Sequence, residues 1–203
     1  HLAYFLLTQL LLPLLERSAP ARIVNVASDA HKFGPLDLDD LQSERRYRSM
    51  RVYGASKTAN LLFTFELARR LEGRAVTVNA LHPGAVGTRL GHNNGWLGRV
   101  ATGLIKPFVL TPEQGAETSL YLATAPELAQ VSGRYFAKKR ERDPARHARD
   151  PVAAQRLERA FGLAVLRTSG ALGDPRVAEL VERDGIAGRE LVWESERSFG
   201  RAE

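Results

Sequence analysis

Hydrophobic residues fall along the chain in blocks that predict helices and strands in alternation. Residues 2–15 are apolar nearly all round, which predicts a helix covered on several sides by a sheet and a partner helix. Residues 22–28 and 75–81 are short β-branched runs of the kind found in parallel strands buried on both faces. Between them, residues 51–71 carry apolar side chains at helical intervals. This order predicts a right-handed parallel crossover unit and therefore an α/β fold.

Local helix signals continue in the second half of the chain. Thr111 and Pro112 are the predicted N-cap and first residue of a helix over 111–123. Residues 132–137 predict a short strand, and helix signals follow at 152–166, 174–184 and 189–199. The predicted organisation is an α/β unit at 1–137, a basic linker at 138–150 and a helical tail at 151–203.

Composition narrows the class of protein. The chain has 203 residues, of which 44% are hydrophobic, which is enough for one sizeable core. It has no cysteine, so a disulfide framework and thiolate metal sites are excluded; we expect no metal site and a cytoplasmic location. Residues 2–15 fall short of the roughly 20 needed to cross a bilayer. The net charge is +6, but the basic residues are not interleaved with aromatic residues as they are in a nucleic-acid-binding module. Nucleic-acid binding is therefore not expected.

Tyr53 and Lys57 are the first candidates for chemistry. Residues four positions apart lie above one another on a helix, so the phenol and the ammonium project into the same space. A cation held beside a phenol favours the phenolate, which suits Tyr53 to general acid/base work. The alternative interpretation is structural, with Tyr53 in a core and Lys57 extended to solvent.

Further candidates lie where the two predicted strands end. Ser28 ends the first strand, and Pro83-Gly84 follows the second, with the Thr88 hydroxyl a little further on. Ligands of open α/β sheets bind outside the carboxyl ends of strands, so these groups are placed for binding or catalysis. Ser28 could equally be a turn or cap residue, and Pro83-Gly84 an ordinary turn.

The segment 89–110 combines several glycines with apolar residues. This composition is typical of a mobile lid over an apolar ligand, although two poorly packed helices would have the same composition. The predicted lid residues are Trp96, Leu97, Leu104 and Phe108.

Taken together, these stretches resemble the carboxyl-terminal half of a classical short-chain dehydrogenase/reductase, of the retinol-dehydrogenase-like branch. The resemblance covers most of residues 1–137. It rests on HLAYFLLTQLLLPLL, RIVNVAS, YGASKTANLLFTFELARRL, VTVNALHPGAVGTRL and LTPEQGAETSLYLA. It implies part of a doubly wound Rossmann-type parallel sheet with flanking helices.

The resemblance also implies roles for the candidates. Tyr53 would exchange a proton with the substrate oxygen, Ser28 would orient that oxygen, and Lys57 would hold the ribose hydroxyls of NADP or NAD, with NADP favoured. Pro83, Gly84, Val86 and Thr88 match the segment that contacts the nicotinamide side of the cofactor. The substrate would be an alcohol or carbonyl on an apolar body. The helices over 2–15 and 51–71 match those that this family uses in homodimers.

The chain departs from the family pattern at both ends. The glycine-rich phosphate loop, the residue that reads the adenosine ribose and the catalytic Asn would all lie upstream of His1, so we expect the chain alone to bind cofactor weakly and not to turn over. Residues 162–189 have no counterpart. Two other functions stay open: a non-catalytic cofactor-sensing or scaffold member of the same fold, and a basic interaction module acting through 138–149.

Overall fold

The computed structural model describes residues 1–86 and 110–168, with side chains described as far as residue 162. The chain divides into two compact units, His1–Leu157 and Glu158–Glu203. The helices of the described part are α1 (Leu2–Arg17), α2 (Ser49–Arg70), α3 (Pro112–Thr124) and α4 (Pro151–Thr168). The strands are β1 (Ala21–Val26), β2 (Val76–His82), β3 (Arg134–Ala137) and β4 (Arg140–Glu141).

The strands form one four-stranded sheet in the order β1-β2-β3-β4. β1 pairs with β2 in parallel from Ala21↔Val76 to Val26↔Leu81, and β2 pairs with β3 in parallel. Only the short β4 is antiparallel. The predicted β1–α2–β2 parallel unit is therefore confirmed. β2 is buried along six of its seven residues, whereas β1, at the edge of the described sheet, is mostly half-buried.

Two apolar clusters lie on the sheet and involve different helices. One joins Leu61 of α2 to Ala80 and Tyr135 of the strands. The other joins Leu122 of α3 to Leu81 and Phe136. Because neighbouring residues of a strand point to opposite faces, α2 and α3 cover opposite faces of the sheet. This is the arrangement of a doubly wound α/β fold, as predicted.

Helix α1 differs from its prediction. It runs through Pro13 and ends at Arg17, past the predicted end at residue 15. Its buried residues are Phe5 and Thr8, so the prediction of cover on several sides is wrong for the described residues. The sequence shows which residues are hydrophobic, but it does not show which faces of a helix pack against another element. The exposed residues of this face are Leu2, Leu6, Leu7, Leu10, Leu11 and Leu14.

Helix α2 begins at Ser49 and ends at Arg70, close to the predicted bounds. Gly73, three residues past the end of the helix, adopts a left-handed conformation with φ +78°. α3 is as predicted: Thr111 accepts a hydrogen bond from the Gln114 amide, and the Gln114 side chain accepts one from the Thr111 amide. This reciprocal pair is a capping box.

The stretch 138–150, predicted as a linker, is instead part of the first unit. It contributes β4 to the sheet, and Ala148 is fully buried in the α2-side cluster. The many charged residues made this stretch resemble a solvent-exposed linker, so neither contact was predicted from the sequence. Of the tail helices, α4 is confirmed, and the two predicted at 174–184 and 189–199 lie outside the described residues. Within the described part, no helix has the length and hydropathy needed to cross a bilayer.

Candidate active site

The candidate residues of β1 and β2 lie side by side at the carboxyl edge of the sheet. The Ala27 amide donates to the Leu81 carbonyl over 2.8 Å, which extends the parallel pairing past the end of β1. Ser28, two residues after β1, and His82, the last residue of β2, therefore lie at the same edge of the sheet. The helix between β1 and β2 returns the chain to the opposite edge of the sheet before β2 begins. The two strands therefore run in the same direction and end at the same edge.

Ser28 begins a 3₁₀ turn, Asp29–Phe33. Its backbone is extended, and its Oγ accepts a hydrogen bond from the Ala30 amide over 3.2 Å. A hydroxyl has one proton to donate besides its two acceptor sites. No acceptor for that proton is found in residues 1–86 or 110–162, so the half-buried hydroxyl can donate to a ligand oxygen.

The turn that begins at Ser28 packs directly on α2, one residue from Tyr53. A Cβ on Gly54 would lie 2.6 Å from the Ala30 oxygen and 2.9 Å from Gly34 Cα. Thr58 Oγ1 then donates to the Gly34 carbonyl over 2.7 Å. The small residue at Gly54 thus permits this close backbone approach.

Tyr53 and Lys57 are half-buried on one turn of α2. Lys57 Nζ lies 5.5 Å from the centroid of the Tyr53 ring, within the range of a cation–π contact. Burial lowers the pKa of Lys57 below its ordinary value. In the part of the chain that the structure describes, no oxygen accepts from this ammonium, so its three donors can bind an oxygen-rich ligand.

A polar cluster of Tyr4, Asn60 and His1 surrounds the carbonyl of Val26, the last residue of β1. Tyr4 donates to this oxygen over 3.4 Å, and Asn60 Nδ2 donates to it over 3.2 Å. Asn60 Oδ1 accepts from His1 Nδ1 over 2.8 Å. Burial raises the pKa of Tyr4, and the nearby Tyr53 adds to this shift. α1 therefore brings a second phenol to the end of the sheet where Tyr53 lies.

Asp29 forms another cluster immediately after Ser28. Its carboxylate accepts from Lys32 Nζ and from the Tyr135 hydroxyl, each over 2.8 Å. Burial alone would raise the pKa of Asp29, but these two hydrogen bonds outweigh it and the pKa lies below its ordinary value. Next to this carboxylate, His82 has a buried Nδ1 with no partner among the described residues. Burial lowers the pKa of His82.

The turn after β2 is described as far as Val86. Gly84 has φ +93°, a conformation that favours glycine, and a Cβ there would meet Leu110 Cδ1 at 2.5 Å. Val86 forms an isolated parallel bridge with Leu110. These contacts fix the two ends of the intervening segment beside the sheet. Thr88 and the predicted lid residues Trp96, Leu97, Leu104 and Phe108 lie outside the described residues.

Sequence reasoning missed three parts of this site: Asp29 with Tyr135, His31, and Asn60. His31 is fully buried within the turn that begins at Ser28, and Asn60 is buried on α2 one turn from Lys57. A polar residue at a core position of a helix is the one signal that could have marked Asn60. No group of three or more metal-ligating side chains occurs within the described ranges.

A parallel sheet covered by helices on both faces, with polar groups at the carboxyl ends of its strands, defines a Rossmann-like α/β protein. The family model described as short chain dehydrogenase matches residues 1–95. Human retinol dehydrogenase 14 is 49% identical over 165 residues, and human retinol dehydrogenase 13 is 49% identical over 163 residues. The chain belongs to the short-chain dehydrogenase/reductase family and is similar to its retinol dehydrogenases.

The alignments with these two relatives cover 77% of this chain but 48% and 49% of theirs. The WW domain-containing oxidoreductase of Danio rerio is 42% identical, over 77% of this chain and 40% of its own length. A crystal structure of an uncharacterized protein from Mycobacterium Paratuberculosis matches with a TM-score of 0.58 and 30% identity, over 79% of this chain and 56% of that one. The chain thus spans about half the length of the relatives that it matches.

Proposed function

We propose that this chain is the catalytic half of a nicotinamide-dependent oxidoreductase that interconverts an alcohol and a carbonyl. The observation that carries the proposal is the pairing of Tyr53 with Lys57 on the turn of α2 next to Gly54, against which the Ser28 turn packs. Membership of the short-chain dehydrogenase/reductase family supports it. The activity is proposed for a complete protein, because the chain covers about half of its relatives.

The described residues fit a nicotinamide cofactor at this edge. The Lys57 ammonium offers donors for the ribose hydroxyls, and the Pro83-Gly84-Val86 turn follows the end of β2. When bound, the cofactor supplies or accepts the hydride. We expect NADP rather than NAD, as the family resemblance favours it; measuring the affinity for both forms decides between them.

The side chains divide the remaining work. The Ser28 proton, without an acceptor among the described residues, donates to the substrate oxygen and orients it. Tyr53 passes a proton to that oxygen in reduction or takes it in oxidation. Lys57 holds a positive charge beside the ring of Tyr53 and stabilises negative charge that develops on the phenol.

We propose an apolar alcohol or carbonyl as the substrate class. Human relatives that share 49% of aligned residues carry the name retinol dehydrogenase, which designates an apolar alcohol. The apolar residues Trp96, Leu97, Leu104 and Phe108 agree with such a substrate. A series of alcohols with growing apolar bodies would show kcat/KM rising with size, and a flat series would contradict this choice.

Replacing Tyr53 by Phe in the complete protein tests the reaction. We expect turnover to fall by at least about 100-fold, since general acid–base catalysis contributes on the order of 10²–10⁴. Cofactor affinity should stay nearly unchanged, because only the hydroxyl is removed. Tyr47→Phe is the matched control, since Tyr47 is 71% exposed and should keep full turnover. Near-normal turnover by Tyr53→Phe would disprove the acid/base role.

The alternative of a cofactor-sensing protein predicts a different result. The complete wild-type protein would then bind NADP or NAD but oxidise or reduce no alcohol or carbonyl. Binding measured by quenching of protein fluorescence, alongside nicotinamide absorbance under turnover conditions, separates the two functions.

We also propose that the exposed leucine face of α1 packs on a second copy. The side chains of Leu7 and Leu10 are 59% and 69% exposed, and they belong to a group of exposed leucines on one helix rather than occurring singly. Residues 51–71 leave no large apolar side chain exposed, although Met50 at the start of α2 is 68% exposed, so in a homodimer through the helices over 2–15 and 51–71 the larger apolar surface comes from α1. Leu10→Glu should convert a dimer of the complete protein to monomer in sedimentation; an unchanged mass would mean that other residues cover this face.

A further inference from the structure

His31 lies within the 3₁₀ turn that begins at Ser28 and is fully buried. Its Nε2 accepts a hydrogen bond from the Ala145 backbone amide over 3.0 Å. A backbone amide can only donate, so this nitrogen carries no proton. The ring is therefore neutral with its proton on Nδ1, and Nδ1 donates to the Ser28 carbonyl over 2.7 Å.

Every polar atom of His31 is used in the same region. Its backbone amide also donates to the Ser28 carbonyl, over 3.1 Å. Its own carbonyl accepts from His147 Nε2 over 2.8 Å and lies 3.3 Å from Thr58 Oγ1, whose one proton is shared with the nearer Gly34 carbonyl. The residue thus connects the Ser28 peptide to α2 and to the segment around Ala145. The ring also packs edge-on against Tyr135, with centroids 5.4 Å apart.

We propose that His31 is a positioning residue for Ser28, holding its carbonyl through the Nδ1 proton and thereby setting the direction of its hydroxyl. This proposal rests on the proposed oxidoreductase function. The geometry that carries it is the chain Ala145 amide, His31 imidazole, Ser28 carbonyl. Burial lowers the pKa of His31, which favours the neutral ring that this chain of bonds requires.

Two amide replacements separate the two hydrogen bonds of the ring. In His31→Asn the amide nitrogen occupies the position of Nδ1, so the bond to the Ser28 carbonyl is kept and the Ala145 amide loses its acceptor. In His31→Gln the amide oxygen occupies the position of Nε2, so the Ala145 amide keeps its acceptor and the Ser28 carbonyl loses its side-chain donor. Each variant loses one bond, so the two are matched in what they remove from the fold.

Kinetics of the complete protein with both variants test the proposal. We expect His31→Gln to lower kcat about 10- to 100-fold, the scale of a small misplacement of a catalytic group, while His31→Asn stays within about threefold of wild type. KM and cofactor affinity should change little in either. Equal losses of kcat, or a larger loss in His31→Asn, would show that His31 only supports the fold.

A spectroscopic measurement keeps the result decisive if a variant fails to fold. Nitrogen NMR of the wild-type imidazole should show a protonated Nδ1 and a bare Nε2 near neutral pH. A bare Nδ1 or a doubly protonated ring would overturn the proposal. A wild-type protein without turnover would overturn the proposed function and the catalytic part of this inference, whereas the NMR result decides the hydrogen bonds by itself.

Discussion

Tyr135 donates its hydroxyl proton to Asp29 Oδ1 over 2.8 Å, across 106 positions of sequence. The bond ties β3 to the turn that begins at Ser28. Burial raises the pKa of Tyr135, and the hydrogen bond to Asp29 raises it further, so the phenol stays protonated and remains the donor. The outer strand of the parallel sheet thereby helps to hold the candidate active site.

Replacing Tyr135 by Phe should destabilise the chain without opening a cavity. The variant loses one hydrogen bond to a carboxylate, worth about 1.5–3 kcal/mol. Urea denaturation of the 203-residue chain near neutral pH measures the free energy of unfolding. Tyr47→Phe is the control, because that ring is 71% exposed and its change should stay within about 0.5 kcal/mol. Equal stability of the two variants would show that the Tyr135–Asp29 bond contributes nothing.

Replacing Gly54 by Ala should be destabilising although alanine favours helices. The added Cβ would lie 2.6 Å from the Ala30 carbonyl oxygen, and the backbones on both sides would have to move apart. This strain should exceed the helix-propensity gain of about 1 kcal/mol. Gly162→Ala in α4 is the matched control: no atom of the described residues lies within 4 Å of its new Cβ, so it should stabilise the chain. Thermal unfolding of both variants checks the opposite signs, and a stabilised Gly54→Ala would contradict the close approach.

The parts of the fold that sequence predicted are those with local causes. The Thr111 cap, for example, depends on Gln114, three residues away, and could be recognised without any tertiary contact. The strands β1 and β2 were likewise located by their β-branched runs. Their ends were less accurate, because pairing with the neighbour, as between Val26 and Leu81, decides where a strand stops.

The parts that sequence did not predict have distant causes. In the sequence, His31 looks like an ordinary polar loop residue. Its tautomer is fixed by a hydrogen bond from the amide of Ala145, 114 positions later. Residues 138–150 were likewise predicted to be a linker because they are highly charged, but Ala148 among them is buried in the core. For Ser28, Tyr53 and Lys57 the sequence predicted the residues and the edge of the sheet, whereas their roles remain predictions that depend on the kinetic tests above.

Acid should destabilise the chain through two histidines whose pKa is lowered by burial, of which His31 is the first. Burial lowers the pKa of His31; the Ser28 hydrogen bond and Asp29 oppose this shift. Lys32 and His147 reinforce the lowering of the His31 pKa. The folded state therefore disfavours the imidazolium, although a carboxylate lies nearby.

The second histidine, His82, is half-buried, and its pKa shifts in the same direction. Burial lowers its pKa, Asp29 opposes the shift, and the positive charges of Lys32 and Lys138 reinforce it. Below about pH 6.5, the ordinary pKa of histidine, the unfolded chain binds protons that the folded chain does not. The stabilising contribution is thus complete above that pH and is lost as the pH falls through the lowered pKa values.

Urea denaturation at a series of pH values measures this contribution. The free energy of unfolding should decrease as the pH falls from about 7 to about 5, with a slope that reports the proton uptake on unfolding. His31→Asn removes one of the two groups, so its slope should be smaller than that of wild type. A wild-type free energy that is flat over this range, or an unchanged slope in the variant, would contradict the role of His31.

Replacing Lys57 by Met should affect both cofactor binding and turnover in the complete protein. Methionine keeps the length and apolar stem but removes the ammonium, which lies 5.5 Å from the Tyr53 ring and has no acceptor among the described residues. If that ammonium holds the ribose hydroxyls, the cofactor Kd should rise about 10-fold or more, the scale of losing a charged hydrogen bond.

The same variant should lower kcat as well, because the positive charge beside Tyr53 is lost. Lys32→Met is the matched control: its ammonium is exposed, pairs with Asp29, and should leave the cofactor Kd unchanged. Fluorescence titration gives the Kd, and steady-state kinetics at saturating cofactor give kcat. A Lys57→Met protein with wild-type Kd and reduced kcat would restrict Lys57 to assisting Tyr53, and unchanged values of both would remove it from the site.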